Sequence, residues 1–481
     1  MIRALISILV SGILPFADSA ANRVWLKSAV ESGEYRNIYD PKTLNENRLG
    51  AQGATQKGRI LLSGRFEYGY DFGKGSSWRG WTDPYATPFA VCDSIPGNIS
   101  LESYDMGATA GFQAGKWILG AGAAYRSSLM AKHKDLRNKN QRMDFSIAPR
   151  ASYRGQRLSA DILAGYSRNT EQVEYMQVDA SSEKYLFQTY GLWFYTGSGF
   201  NSAEQKRLLS SHGGFAELSL AWTGETFSLG NDFSCIYTLS RQSETGYNNL
   251  RHGDSERLLY SDRLSISAGA HSLNLSFALE QMSGSRYLQR QELDPASGIR
   301  RWFSYGKPSQ VYWRDVLKLG AFYTFGRPTW SVKAGADYTD ASHSYKEFPG
   351  LFTQSLSWIE PRLSASAIVP LNGNYSLRLS PSLSYKHRLG GSEMKLSSFG
   401  HVHLDAAERQ LQIPLKSEYA YWSADALGAA MKAEASRSLK GGRMLKAGLG
   451  LSWWKMTGNG AGRLPDKASR SAASISLGYE F

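Results

Sequence analysis

The chain has 481 residues, of which 12% are aromatic, and it contains 48 Gly and 27 Tyr. The mean hydropathy is −0.38, and no apolar run after the N-terminus reaches the ~18 residues of a membrane-spanning helix, so a helical membrane protein is excluded. The formal net charge is +13 and there are only two cysteines, which excludes a disulfide framework. The length fits two to four soluble domains or one large β-barrel, and the Gly- and Tyr-rich composition favours the barrel.

The N-terminus is typical of a secretory signal. It reads MIRALISILVSGILPFADSA, with a basic residue near the start, an apolar stretch and small residues at the end. A buried helix is the weaker interpretation, because the run is short and Pro15 interrupts it. We therefore predict a signal peptide over 1–21. Residues 22–57 would follow as an N-terminal segment that either lies in the periplasm or plugs the barrel lumen.

From residue 58 to the end, the sequence repeats alternating runs of apolar and polar residues. GRILLSGRFEYGYDF puts Ile60, Leu62 and Phe66 on one face and Ser63 and Arg65 on the other, as expected for strands with two different faces. Short turns and long polar segments strictly alternate between the runs. That asymmetry is typical of outer-membrane barrels and is not expected for a β-sandwich.

Aromatic residues mark the short turns. A girdle of such rings forms where hydrocarbon meets headgroups. The set is Phe112, Trp117, Tyr153, Trp222, Phe227, Phe325, Trp330 and Tyr375.

The strand count follows from eight strand–turn–strand units. We predict an all-β, transmembrane, antiparallel up-and-down barrel of about sixteen strands over 58–481. Fourteen strands is the alternative, because the runs over 354–369 and 415–437 alternate less cleanly.

The last strand ends in SASISLGYEF, with Ile475, Leu477, Tyr479 and Phe481 on one face. An exported barrel with this ending resembles outer-membrane proteins of Gram-negative bacteria, and the whole chain also resembles uncharacterised outer-membrane barrel families of Bacteroidota. The resemblance implies location in the outer membrane, contact with its lipid and lipopolysaccharide, and recognition of the last strand by the barrel-assembly machinery. It implies nothing about activity. TonB-dependent receptors fit less well, because residues 22–57 are too few for their plug domain.

A barrel of sixteen strands has room for an aqueous lumen, so basic residues on the polar strand faces are candidate lumen-lining groups. We predict this role for Arg314, Lys318, Lys333, Arg362 and Arg378. Twelve basic and ten acidic residues on these faces nearly balance, which argues against assigning anion selectivity from the net charge alone.

Two long loops carry further candidates. The basic loop MAKHKDLRNKNQR would face lipopolysaccharide phosphates through Lys132, Lys134, Arg137 and Lys139. The loop over 168–210 is rich in aromatic rings, which suit a glycan or a partner protein, or simply extend the hairpin or cap the barrel mouth. Its candidate ligand residues are Tyr185, Phe187, Tyr190, Trp193, Phe194 and Tyr195.

Signals for catalysis are weak. His401, His403 and Asp405 share one face of an extended segment, but no further ligand cluster accompanies them, so we predict no metal site, no cofactor and no enzyme. Nucleic-acid binding is not expected for a chain anchored in this membrane. The sequence favours a passive channel or uptake conduit for small polar or amphipathic solutes, and the alternative is a surface-interaction barrel whose aromatic loop binds a glycan or a partner protein.

Overall fold

The computed structural model describes residues 22–179, 181–193, 195–200, 205–245, 250–347, 350–396, 406–458, 464 and 467–481. The predicted signal peptide, Phe194 and the histidines at 401 and 403 with Asp405 lie outside the described residues. The elements are β1 (Arg23–Gly33), β2 (Thr43–Lys57), β3 (Ile60–Ser76), β4 (Ala90–Cys92), β5 (Gly97–Ala114), β6 (Trp117–Lys132), β7 (Arg137–Arg154), β8 (Leu158–Met176), β9 (Lys184–Thr189), β10 (Tyr195–Phe200), β11 (Gln205–Thr223), β12 (Ser228–Thr245), β13 (Arg251–Ala268), β14 (His271–Leu293), β15 (Arg300–Arg327), β16 (Trp330–Glu347), β17 (Gly350–Pro370), β18 (Tyr375–Arg388), β19 (Glu393–Leu396), α1 (Ala406–Ser423), β20 (Ala426–Ser438), β21 (Met444–Met456) and β22 (Ser469–Glu480), with a 3-10 turn over Lys440–Gly442.

Eighteen of the described strands form one closed antiparallel barrel. Each strand pairs with its sequence neighbours in the ring, and β1 pairs with β22 to close it, with Val24 opposite Tyr479 and Leu26 opposite Leu477. Short β19 adds to β17 at the rim, and β4, β9 and β10 make a separate three-stranded sheet.

The predicted count of about sixteen strands is wrong, because residues 22–57 do not stand apart from the barrel. Strands β1 and β2 form a hairpin that is part of the barrel wall. The pairing of β1 with β22 explains why: without this hairpin, the edges of β3 and β22 would be left unpaired.

A second difference concerns the region 415–437. It begins with the end of α1, which runs to Ser423, and the barrel strand β20 starts only at Ala426. The other predicted strands correspond to barrel strands.

The connections between barrel strands differ in length between the two ends of the barrel. Eight connections of two to five residues join the strands at one end, which we call the short-turn end. Glycines in left-handed conformation make the tightest of them, at Gly58, Gly115 and Gly269, with φ of 61°, 61° and 56°. All connections longer than five residues lie at the other end, the long-loop end. Three short connections also lie there, between β6 and β7, β12 and β13, and β16 and β17, so the predicted strict alternation of short and long connections does not hold.

The outer surface carries an apolar belt between two girdles of aromatic side chains. Six of the eight rings beside the short turns form pairs: Trp222 with Phe227 and Phe325 with Trp330 across one turn, and Trp117 with Tyr153 on the neighbouring strand. A second set of exposed rings lies eight to ten residues further along the strands: Tyr70, Tyr104, Tyr166, Tyr237, Tyr385 and Trp453. At ~3.3 Å per residue and a tilt of ~40°, nine residues span about 23 Å, which is close to the ~25 Å apolar band of an outer-membrane barrel.

Candidate functional site

Three inward-folded segments close the long-loop end of the barrel. They are residues 78–93, residues 184–193 and helix α1, and we call them together the plug. The first two contribute large side chains with no exposed surface, among them Trp81, Phe89, Phe187 and Tyr190. These pack against inward-facing wall residues such as Met282 and Tyr312. The barrel mouth is therefore filled by a core of the chain's own loops.

Polar contacts attach the plug to the wall on several sides. Lys132, at the end of β6, holds Asp93 through both carboxylate oxygens at 2.6 and 2.8 Å, with both residues buried. On β7 and β8, the Asn140 amide donates to the Gly80 carbonyl at 2.8 Å and the Tyr175 hydroxyl donates to the Val91 carbonyl at 2.9 Å.

Further contacts reach β8, β12 and β13. The Thr82 amide and hydroxyl donate to Glu171 at 2.7 and 2.9 Å, and the Gln188 amide donates to Gln242 at 3.0 Å. The Thr87 and Ser255 hydroxyls lie 3.3 Å apart. These contacts are reversible and none is covalent.

The parts of the plug meet at Glu418 on α1. Its carboxylate accepts hydrogen bonds from the Tyr85 hydroxyl at 3.0 Å and from Trp193 Nε1 at 3.1 Å. Burial raises the pKa of Glu418 above its usual range, although the bonds from Trp193 and Tyr85 partly oppose that shift.

A cavity of about 60 Å³ lies beside this junction, lined by Tyr85, Trp193, Glu418 and the wall residue Arg314 among others. It has space for a few water molecules and forms a small gap between the plug and the wall.

Below the plug, the inner wall changes character. Small residues dominate the inward positions of β17 to β22, including Ser364, Ser366, Ser382, Ser474 and Ser476, and glycines such as Gly448 and Gly450 follow the same pattern on β21. Long inward side chains at this height, Lys333 and Arg378 among them, are exposed to solvent. We call the space between the plug and the short-turn end the chamber; polar, solvent-accessible side chains line it on β16 to β22, and a buried apolar cluster that includes Leu163, Phe215 and Leu259 lies on the wall from β7 to β13.

Ion pairs tie many of the inward charges to the wall. Arg65 Nη2 lies 3.1 Å from Asp105 Oδ1, and Arg150 Nη2 lies 2.6 Å from Asp161 Oδ1. Arg362 contacts Asp337 at 3.6 Å and Glu360 at 2.5 Å.

The five basic residues expected in the lumen all lie on inward positions of their strands, but at two heights. Lys318, Lys333, Arg362 and Arg378 line the chamber. Arg314 lies higher and is 5% exposed; its guanidinium contacts Glu280 at 3.4 Å and faces the Tyr85 ring of the plug at 5.1 Å. Arg314 thus supports the plug instead of lining the chamber.

The aromatic loop differs from the expectation of an exposed ligand surface. Phe187, Tyr190 and Trp193 are buried in the plug, and Trp193 stacks on Tyr39 with ring centroids 5.6 Å apart. Tyr185 is 45% exposed, and Tyr195 begins β10. Phe187, Tyr190 and Trp193 turn inward because their combined apolar area is too large to leave in water.

The candidate residues of the basic loop also lie in two different environments. Lys134, Arg137 and Lys139 are exposed, and Arg137 pairs with Asp135 at 3.0 Å. Lys132 is buried against Asp93 and does not face outward, since an inward position at the end of β6 directs it into the plug.

Sequence reasoning missed two components of this site. The alternation pattern treats residues 78–93 as part of a long polar segment, although Trp78, Trp81, Tyr85 and Phe89 give the segment an apolar content that indicates burial. Glu418 carried no local motif, because its partners are 225 and 333 residues away in sequence.

The described residues hold no group of three or more His, Cys, Asp and Glu side chains that could bind a metal ion. No helix in the described part of the chain is long and apolar enough to span a membrane. Cys92 is buried in the plug, and both cysteines are free thiols.

Three solved structures illustrate what the chain is similar to. The copper transporter OprC matches with 10% identity and a TM-score of 0.43, covering 97% of this chain and 82% of the other. The ferric preacinetobactin receptor BauA from Acinetobacter baumannii matches with 8% identity and a TM-score of 0.43, covering 99% and 84%. The outer membrane transporter YddB from Escherichia coli matches with 9% identity and a TM-score of 0.42, covering 96% and 81%.

A search of curated proteins gave no match. The sequence pattern of one family fits residues 14–481, which is nearly the whole chain. The protein therefore belongs to DUF6850, a family of unknown function.

Proposed function

We propose that the protein is an outer-membrane channel that is closed at rest by its own plug and conducts small polar or amphipathic solutes when the plug moves. The observation that carries the proposal is the change of the inner wall along the barrel axis. Above, the mouth is filled by buried aromatic side chains such as Phe89 and Tyr190; below, inward side chains such as Lys333 and Arg378 are exposed to solvent.

The apolar outer belt supports a location in the outer membrane. Apolar side chains with half or more of their surface exposed, such as Leu119, Leu449 and Ile475, cover the wall between the two aromatic girdles. So much exposed apolar surface is unfavourable in water and favourable against hydrocarbon. By the usual asymmetry of such barrels, the short-turn end faces the periplasm and the plug faces the exterior.

The contacts of the plug support a movable closure. Hydrogen bonds and the buried Lys132–Asp93 pair hold it in place, and such contacts can be exchanged for water when a segment moves out. Passive passage is proposed because the solute would follow its own gradient through the chamber.

A disulfide lock tests the proposal in planar lipid bilayers. In the variant Thr87→Cys/Ser255→Cys, the new thiols replace hydroxyls 3.3 Å apart, which is compatible with a disulfide between plug and wall. The reduced protein is expected to show discrete conductance events, and oxidation is expected to abolish them. Each single cysteine variant, which cannot form this lock, serves as the control.

The variant Lys132→Met tests the opposite change, a weaker attachment of the plug to the wall. It leaves Asp93 buried without its partner, which destabilises the docked plug, so channel openings should become more frequent than in the natural protein. If the natural protein, the reduced lock variant and Lys132→Met all fail to conduct, the channel proposal is wrong. Conductance that is indifferent to oxidation of the lock would contradict the plug as the gate.

A further inference from the structure

The inward charges of the chamber divide into a paired set and an exposed set. Arg65, Arg150, Arg362 and Lys446 each lie within 4.0 Å of a carboxylate on the wall. Such pairs present little net charge to a passing ion.

The exposed set consists almost entirely of cations. Inward positions with high solvent exposure are occupied by Lys27 on β1, Arg263 on β13, Lys333 on β16, Arg378 on β18 and Lys432 on β20. None of the five has an ion pair within 4.0 Å among the described residues. Asp232 is the exposed inward carboxylate at this height, and it lies opposite Arg263 in the strand register.

The remaining carboxylates are recessed. Glu67, Glu217 and Glu434 are partly buried, and one carboxylate oxygen of Glu217 is wholly shielded from solvent. Carboxylate side chains are short and stay at the wall, whereas Lys and Arg reach toward the axis on long stems. A nearly balanced count of charges therefore becomes an excess of positive charge where a solute would pass.

The five cations also share one height. Each lies three to six residues from the short-turn end of its strand, so together they form a belt near the proposed periplasmic opening. Rings of Arg and Lys select anions in pores. We infer that this belt makes the channel prefer small anions, with carboxylates and phosphates as the solute class, and that the five cations determine this specificity.

This inference rests on the proposed function and is tested by ion selectivity. In a bilayer with a KCl gradient, the reversal potential of Lys132→Met channels reports the permeability ratio of chloride to potassium, which we expect to exceed unity. At ~7 Å in water one unit charge changes an ion's Boltzmann weight by about threefold, and the effect should shrink at 1 M salt, where the Debye length is ~3 Å.

The matched variants separate the belt from other charges. Changing Lys333, Arg378 and Lys432 together to Gln should bring the permeability ratio down by about threefold or more at low salt. The control Lys139→Gln removes an exposed cation from the outer face of β7 and should leave the ratio unchanged.

The outcomes distinguish the two proposals. Channels that conduct but prefer potassium, or whose selectivity does not respond to the triple variant, overturn the anion preference while leaving the channel in place. A complete lack of conductance in every variant overturns both.

Discussion

Glu418 connects the three segments of the plug. It is 7% exposed, and it joins helix α1 to Tyr85 and Trp193, which belong to the two other plug segments. Tyr85 in turn accepts a hydrogen bond from the Asn37 amide at 2.9 Å, which extends the network to the β1–β2 connection.

The raised pKa of Glu418 makes the closure depend on pH. Because burial raises the pKa in the docked plug, the docked state binds the proton more tightly than the released state. Docking is therefore favoured below the ordinary pKa of Glu, ~4.3, and loses this contribution as the pH rises through the raised pKa. We expect the open probability in planar bilayers to increase with pH across that window.

Glu418→Gln separates this effect from other titrations. Gln keeps the shape and one acceptor but does not ionise, so the pH dependence of the open probability should be weaker in this variant; the buried plug carboxylate Asp93, whose pKa is also raised by burial, retains part of it. Glu225→Gln, at an exposed short turn, is the control and should retain it. An unchanged pH dependence in Glu418→Gln would show that another group controls the plug.

At the scale of elements, alternation in the sequence identified the barrel strands from β3 onward because their outer faces carry large apolar residues against small or polar ones. It failed for β1 and β2. The outward positions of β2 include Asn45 and Asn47 beside Leu49, so one face has no clear apolar stripe. These strands are recognisable only from the need to close the ring, which is a property of the whole sheet.

Helix α1 was missed for a different reason. Its sequence AAERQLQIPLKSEYAYWS contains Pro414, which argues against a helix in an isolated segment, and Leu411, Ile413 and Leu415 imitate a strand. The inward folding of the loops was equally hidden, since loop composition does not reveal whether apolar rings are buried inside a barrel or by a partner.

The β14–β15 hairpin is an element that extends beyond the barrel. In the described strands, residues 288–305 form backbone pairs only with one another, from Leu288 opposite Tyr305 to Leu293 opposite Arg300. Its hydrogen bonds to the neighbouring strand β13 run from Ser304 and Gln289 to Arg251 and from Gln289 to His252. The ribbon therefore contributes little to the closed ring.

We predict that replacing residues 288–305 with an Asn-Gly turn changes the free energy of unfolding by less than about 0.5 kcal/mol, as for surface changes away from the core. Thermal unfolding of the refolded protein in detergent measures this. Tyr287→Ala is the contrast, because this ring is 8% exposed and its hydroxyl donates to Asp254 at 2.9 Å. A deletion as costly as Tyr287→Ala would place the ribbon within the folding unit.

At the scale of the whole molecule, the first and the last described strand close the barrel. Strands β1 and β22 pair over their full length, and the Phe481 amide donates to the Asn22 carbonyl at 2.8 Å. The terminal alternation of Ile475, Leu477 and Tyr479 thus serves both the outer belt and the closure, and the C-terminal strand completes the ring only when the N-terminal one is in place.

The location of the belt in hydrocarbon is tested by comparing two leucines of β21. Leu449 and Leu445 are both outward and similarly exposed, at 50% and 46%, but Leu445 lies one residue from the short-turn end of the strand and Leu449 lies five. If the belt faces a bilayer, Leu449→Arg should lower the free energy of unfolding by about 2–4 kcal/mol and Leu445→Arg by about 0–1 kcal/mol, since the cost of a cation depends on depth. Reversible unfolding from lipid vesicles with denaturant measures both. If both sites faced water, replacing Leu with Arg would lower the free energy of unfolding by much less at either site. Equal costs for the two variants would therefore contradict the membrane location on which the channel depends.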